Sequence, residues 1–258
     1  MAKSSQAVIV GFSGGVSSAW CAGWALRTFP REHVVFLHHD TREEDPDTYR
    51  FIRELATALD HPVTERSDGR SVTEVFRDEN ALANNRMAFC SRILKAEQKE
   101  LYVRELKAAL AVASGLSGTE PASIVNVLGF SALEWQRVSR ASGWAEGSGV
   151  TVRFPMVEEG ITKQMAANWC QALGVRPPRM YAWSEHANCV GCARGGKAYW
   201  LAVAQNAPAI FAQRVELERE FGHTFLKDTT LERLVQVGLR RKVSQKESIE
   251  IGTCECGD

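Results

Sequence analysis

The chain reads as an α/β fold: a doubly wound, mostly parallel sheet with helices on both faces, followed by a helical, cysteine-bearing C-terminal segment. Three observations predict it. Short apolar runs rich in β-branched residues alternate with segments of helical periodicity through the first half. The first run passes through a Gly-rich turn straight into a helical segment. Beyond Gly191 the strand-like runs stop and only helical patterns remain.

Ala7–Phe12 (AVIVGF) is a buried strand bounded by glycine, and Ser17–Leu26 is the helix after it. Val34–His38 is a second apolar run. Asp45–Leu59 is helical, with Tyr49, Ile52, Leu55, Ala56 and Leu59 at helical spacing, Asp45 as N-cap and Pro46 at the first helical position. Ser91–Leu110 has the pattern of one long amphipathic helix, Ser123–Gly129 (SIVNVLG) of a buried strand, and Ile161–Leu173 of a helix. Gly115–Ser123 and Gly143–Val150 read as flexible loops. Lys197–Gln205, Pro208–Phe221 and Thr230–Leu239 are the closing helices. This divides the chain into an α/β domain over 1–186, expected to be the ligand-binding one, and a cysteine-loop and helical segment over 187–258 packed on it.

Length and charge set limits. The 258 residues fit one large α/β domain, or a domain of about 200 residues with an appended segment. Basic and acidic side chains balance at 31 each, which gives no electrostatic argument for a global nucleic-acid or membrane surface. No run approaches the ~18 apolar residues that span a bilayer, and the first residues lack a signal peptide's pattern, so a cytoplasmic location is expected. Of the seven cysteines, Cys21 and Cys170 sit in apolar helical patterns. Cys90, Cys189, Cys192, Cys254 and Cys256 sit beside Gly, Ser or charged residues, as metal-binding or catalytic thiols do in a reducing compartment.

Phe12–Ser18 (FSGGVSS) follows a strand and opens a helix. Gly14 and Gly15 let the backbone turn tightly, Ser13, Ser17 and Ser18 add hydroxyls, and the helix N-terminus adds partial positive charge. No Lys follows the second Gly, so it is not a Walker loop. By itself the pattern also fits a Ser-capped strand-to-helix turn. Its place at the first strand end of an α/β chain favours an anion site. Asp40, at the second strand end, is placed to accept from an adenosine or ribose group. His38 and His39 end the same strand without a ligand partner at short spacing.

Cys189 and Cys192 form a CxxC on a Gly-rich loop, close enough to share a metal or cluster iron. One CxxC does not complete a site. Cys90, Cys254 and Cys256 are the candidate partners, and a structural zinc site or a redox dithiol are the other readings. Tyr199 and Trp200 read as packing around this loop rather than as a base-stacking platform.

These segments together resemble the PP-loop superfamily, the ATP pyrophosphatases and sulfonucleotide reductases. SGGVSS resembles that family's SGGxxS loop, with Ser17 where many members carry Asp. Asp40-Thr41 followed by Pro46-Asp47-Thr48-Tyr49 resembles its Asp-Thr-Gly and Pro-Glu-Thr-Tyr segment, with Arg42 in place of Gly. Phe89–Gln98 resembles the adenylyl-sulfate reductase segment in which Cys-Cys precedes Arg and Lys. Cys90 matches the first cysteine, and Ser91 stands for the second. Asn126–Arg140 resembles the next strand and its arginine loop, and Phe154-Pro155-Met156 the following Asn-Pro-Leu. The order spans Phe12 to Cys192.

The resemblance implies a nucleotide held by Ser13, Gly14, Gly15, Ser17, Ser18, Asp40, Thr41 and Gly129, with Arg92, Lys95, Arg137 and Arg140 near its phosphate or sulfate. It implies a [4Fe–4S] cluster on Cys90, Cys189 and Cys192, with Cys254 as the candidate fourth ligand. Glu255-Cys256-Gly257 resembles the C-terminal segment whose cysteine attacks the sulfur of a bound phosphosulfate, so Cys256 is nucleophile or ligand. The expected enzyme is therefore a phosphoadenosine phosphosulfate reductase-like oxidoreductase acting on an adenylyl sulfate, with a thiol donor such as thioredoxin or glutathione. A homodimer is allowed and no membrane partner is expected. The rival is an ATP pyrophosphatase that adenylates a nucleic-acid or small-molecule acceptor for sulfur transfer. A third reading is a nucleotide-binding accessory protein without turnover.

Overall fold

The computed structural model describes residues 6–113 and 123–238. Cys254, Cys256 and most of the expected loop over Gly115–Ser123 lie outside them. The chain runs β1 (Gln6–Gly11), α1 (Val16–Thr28), β2 (Val34–His39), α2 (Pro46–Ala58), β3 (Val63–Arg66) and α3 (Val72–Asp78). It continues through α4 (Phe89–Ser91), a π-helical turn over Arg92–Glu97, α5 (Gln98–Ala113), β4 (Ser123–Val127), α6 (Trp135–Ser148) and β5 (Val150–Arg153). Five further helices close it: α7 (Pro155–Glu158), α8 (Lys163–Ala172), α9 (Lys197–Asn206), α10 (Pro208–Phe221) and α11 (Leu231–Val237).

The five strands form one sheet in the order β3-β2-β1-β4-β5, every pair parallel. β1 is central because it is apolar on both faces. Val8 and Val10 point to a core with α1, α2 and α8, and Ile9 to a smaller one under Tyr102, Val103 and Leu106 of α5. Strand order reverses beside β1, so the carboxyl ends of β1 and β4 flank a topological switch point. A third core joins α9, α10 and α11 to α3, to Ile93 and Leu94, and to Cys189, Val190 and Ala193.

Two expectations are corrected, and two strands are added. Gly143–Val150 is not a loop: α6 runs to Ser148, Gly149 ends it in a left-handed turn (φ 64°), and β5 starts at Val150. Packing against β5 outweighs the helix penalty of its glycines. The helix expected over Ser91–Leu110 is broken by the π-helical turn, whose wider winding lets consecutive Ile93 and Leu94 both bury. β3 and β5 are edge strands carrying Glu65, Arg66 and Arg153, so they lack the apolar run that marks the inner strands.

Candidate functional site

The phosphate loop closes on its own serine. Ser18 Oγ accepts from the backbone N–H of Ser13 (3.2 Å), lies 3.3 Å from Ser13 Oγ, and donates to the carbonyl of Gly15 (2.8 Å). Gly14 turns the chain at φ 77°, and a Cβ there would fall 2.4 Å from Thr48 Cγ2. Gly15 is the N-cap of α1 and brings no side chain to its first turn. No side chain of its own turn caps the positive end of the helix, which favours an anion there. Tyr181, fully buried, accepts from the N–H of Val16 through its hydroxyl at 3.1 Å. On the far side of the switch point, a Cβ on Gly129 would stand 2.7 Å from the backbone of Ser17, so only glycine lets the end of β4 approach this turn.

Several buried polar atoms lack a partner toward the carboxyl ends of β2 and β4, besides His33 Nδ1 and Trp200 Nε1 elsewhere. His38 Nε2, His39 Nε2, Glu44 Oε2, Thr48 Oγ1, both amide atoms of Asn126, and Ser131 Oγ are buried without a hydrogen-bond partner. All belong to the carboxyl half of β2 or β4 or to the segments just after them. Buried polar groups are normally paired, so this concentration marks where water or a polar ligand completes the bonding. His38 Nδ1 donates to the carbonyl of Phe12 (3.0 Å), which leaves Nε2 as an acceptor.

Asp40 has an internal duty. Its Oδ1 accepts from the N–H of Arg42 (2.8 Å) and from the Tyr49 hydroxyl (2.5 Å). That holds Arg42 at φ 59°, a left-handed conformation at the residue matching the family's glycine. Thr41 Oγ1 is 3.0 Å from Cys189 Sγ, which joins the strand end to the cysteine loop.

The cysteine loop is fixed by residues far away in sequence. Val190 N–H donates to the carbonyl of Glu43 (3.0 Å), and Arg214 Nε donates to the carbonyl of Gly191 (3.2 Å). Arg214, itself buried, also donates to Thr73 Oγ1 (2.8 Å) and pairs with Glu43. Cys90 packs against the same core from α4, and Cys90 and Cys192 repel each other's charged forms. Burial, then Cys192, pushes the Cys90 thiol up to about 11; burial foremost, against Lys95 and with Glu44, pushes Cys189 up to about 12. Lys95 Nζ is 3.3 Å from Glu44 Oε1. Burial works against its charge, but Glu44 and then Cys189 outweigh it and hold the ammonium above the ordinary lysine range. Among the described residues no group of three His, Cys, Asp or Glu side chains is placed to hold a metal ion.

The expected arginines are exposed and make local contacts. Arg92 pairs with Glu97, Arg137 pairs with Glu134 and covers the Phe130 ring at 4.1 Å, and Arg140 donates to the carbonyl of Gln136 (3.1 Å). Sequence reasoning missed Tyr181, Glu44, Arg214 and a buried lysine, Lys163. Lys163 Nζ donates to the Glu185 carbonyl (2.9 Å) and to His186 Nδ1 (3.2 Å). Burial, then Lys163, lowers the proton affinity of His186. No local pattern announces any of these side chains, because their partners are remote.

A parallel sheet with a glycine loop and a bare helix N-terminus at its switch point defines a nucleotide-binding α/β protein. Residues 7–127 match the family model of the phosphoadenosine phosphosulfate reductase domain, and over that stretch the chain is similar to that family. Among solved structures, the phosphate complex of phosphoadenylyl-sulfate (PAPS) reductase from Candida auris matches at 14% identity and TM-score 0.44, over 70% of this chain and 78% of that one. No curated protein matches the chain. No helix among the described residues is long and apolar enough to cross a membrane.

Proposed function

We propose that the protein is a sulfonucleotide reductase that converts an adenylyl sulfate, with or without a 3′-phosphate, to sulfite and a nucleotide. The observation that carries this reading is the glycine-serine loop at the switch point, beside strand ends that carry unpartnered polar atoms. Ser13, Gly14, Gly15, Ser17 and Ser18 receive the phosphosulfate, and Gly129 lets β4 close on it. Asp40 and Thr41 shape the nucleotide side, and Lys95 and Arg137, with Arg92 and Arg140 further out, supply positive charge.

Cys256, in its Glu-Cys-Gly segment, attacks the sulfur. An S–S bond forms, the S–O bond to phosphate breaks, and the nucleotide leaves with that oxygen and its electron pair. The enzyme then carries a cysteine S-sulfonate. A thiol donor such as thioredoxin or glutathione attacks Cys256 Sγ and expels sulfite. A second thiol resolves the mixed disulfide.

Cys90, Cys189 and Cys192 fit an iron–sulfur cluster, with Cys254 as the fourth ligand. Burial holds the Cys90 and Cys189 thiols above the ordinary cysteine range, with Lys95 the neighbouring cation that opposes it at both, which suits ligands that ionise on taking a metal. A bound cluster would supply fixed charge to the site.

The test is to purify the protein without oxygen and incubate it with adenylyl sulfate, 3′-phosphoadenylyl sulfate and ATP in separate tubes, thiol present. Sulfite from either sulfonucleotide is the expected result. Pyrophosphate from ATP, with no sulfite in any tube, would replace the reductase by an ATP pyrophosphatase acting in sulfur transfer. Tight nucleotide binding with neither product would make it a binding protein.

A further inference from the structure

We propose that the hydroxyl of Tyr199 is the positioning group that holds Cys189 and Cys192 in ligand geometry, an inference that rests on the cysteine-centre reading above. Tyr199 Oη accepts from the backbone N–H of Gly191 (3.0 Å) and of Cys192 (3.1 Å), and donates to the carbonyl of Cys189 (3.1 Å). A hydroxyl has one proton and two lone pairs, so these three bonds use all of it. They reach from the first cysteine to the last, and one oxygen therefore sets the span of the CxxC turn.

The surroundings keep that oxygen in place. The Tyr199 ring stacks on Trp183 at 6.2 Å between centroids and meets Trp200 edge-on at 5.8 Å. Gly195 clears the room for it: a Cβ there would fall 2.0 Å from the ring. Gly191, at φ 73°, is held by Tyr199 through its N–H and by Arg214 through its carbonyl. Packing alone would need only a phenyl ring. The hydroxyl is what distinguishes a positioning role from a structural one, because Phe keeps the stacking and loses all three bonds.

Groups behind metal ligands typically change metal affinity about 10–100-fold when removed. Tyr199→Phe should therefore bind iron and sulfide about tenfold more weakly than the wild type, read by chelator competition after anaerobic reconstitution. In metal-free protein, alkylation of Cys189 and Cys192 should accelerate, while the sheet-core thiols Cys21 and Cys170 keep their wild-type rates. Those two thiols separate a local loosening from general unfolding. Gly195→Ala should act in the same direction by displacing the ring with its hydroxyl intact, and it serves if Tyr199→Phe folds poorly.

Unchanged chelator resistance together with unchanged alkylation of Cys189 and Cys192 in both variants would overturn the proposal. If the wild type takes up neither iron nor sulfide, the cluster reading fails by itself. The alkylation rates still decide whether Tyr199 positions the loop.

Discussion

The phosphate loop and the cysteine loop lie at neighbouring ends of the same molecule and are built in opposite ways. Ser13–Ser18 is shaped mostly by itself: Ser18 ties back to Ser13 and Gly15, and glycines admit the neighbouring chain. Cys189–Cys192 makes its chief contacts with Thr41, Glu43, Tyr199 and Arg214, some of them about half the chain away. A loop of the first kind persists wherever its strand and helix do. One of the second kind exists only when the whole domain has assembled, which makes it the more fragile of the two.

The largest expected effect breaks the cysteine loop alone. Arg214→Met leaves the Glu43 carboxylate without its buried partner and the Gly191 carbonyl without a donor, and should cost about 3–5 kcal/mol in urea melts. Pairing it with Glu43→Gln should recover part of that loss, because the stranded charge is gone. If Arg214→Met melts like the wild type, the cysteine loop does not depend on its remote partners and the contrast between the loops collapses.

Gly129→Ala probes the phosphate loop. Its Cβ would press on the backbone of Ser17 and Ser18, at 2.7 and 2.9 Å, and backbone cannot swing away as a side chain can. We expect about 1–3 kcal/mol of destabilisation. Nucleotide affinity, read by calorimetry with adenylyl sulfate, should fall much more than chelator resistance of the cysteine centre. Equal losses at both sites would mean that the two loops are mechanically one.

The same contrast explains what the sequence made legible. The residues of the glycine-serine loop are consecutive and sit after an apolar run, so pattern and place single them out as a candidate, and the inner strands β1, β2 and β4 stood out for the same reason. Cys90 and the CxxC lie about a hundred residues apart, and only family resemblance brought them together. Tyr181, Tyr199 and Arg214 carry no signal, since an aromatic or an arginine inside a helical segment looks the same whether it packs or holds a loop. The edge strands and α6 escaped because charge and glycine dilute their patterns, while packing supplies what propensity lacks.

Tyr181→Phe is a milder probe of how local the phosphate loop is. It strips the acceptor from the Val16 N–H, the one remote hydrogen bond described at this turn. A loss of about 1–2 kcal/mol in thermal or urea melts is expected, with a several-fold weaker nucleotide complex. A loss as large as that of Arg214→Met would make the phosphate loop as dependent on tertiary partners as the cysteine loop.

The smallest effect concerns His39, which lies on the α5 face of β2 between the two loops. Burial, then Lys95 and His38, presses its imidazole down to about 3, so it stays neutral in the folded protein. An unfolded histidine takes its proton near 6.5. The unfolded chain therefore binds one proton more between those values, and the stability present above pH 6.5 is lost as pH falls toward 3. By pH 5 that amounts to about 1–2 kcal/mol. His39→Asn should remove this component, so urea melts at pH 7 and pH 5 should differ less for the variant than for the wild type. Equal acid losses would mean that His39 accepts its proton within the fold. Its unpartnered Nε2 would then open onto water.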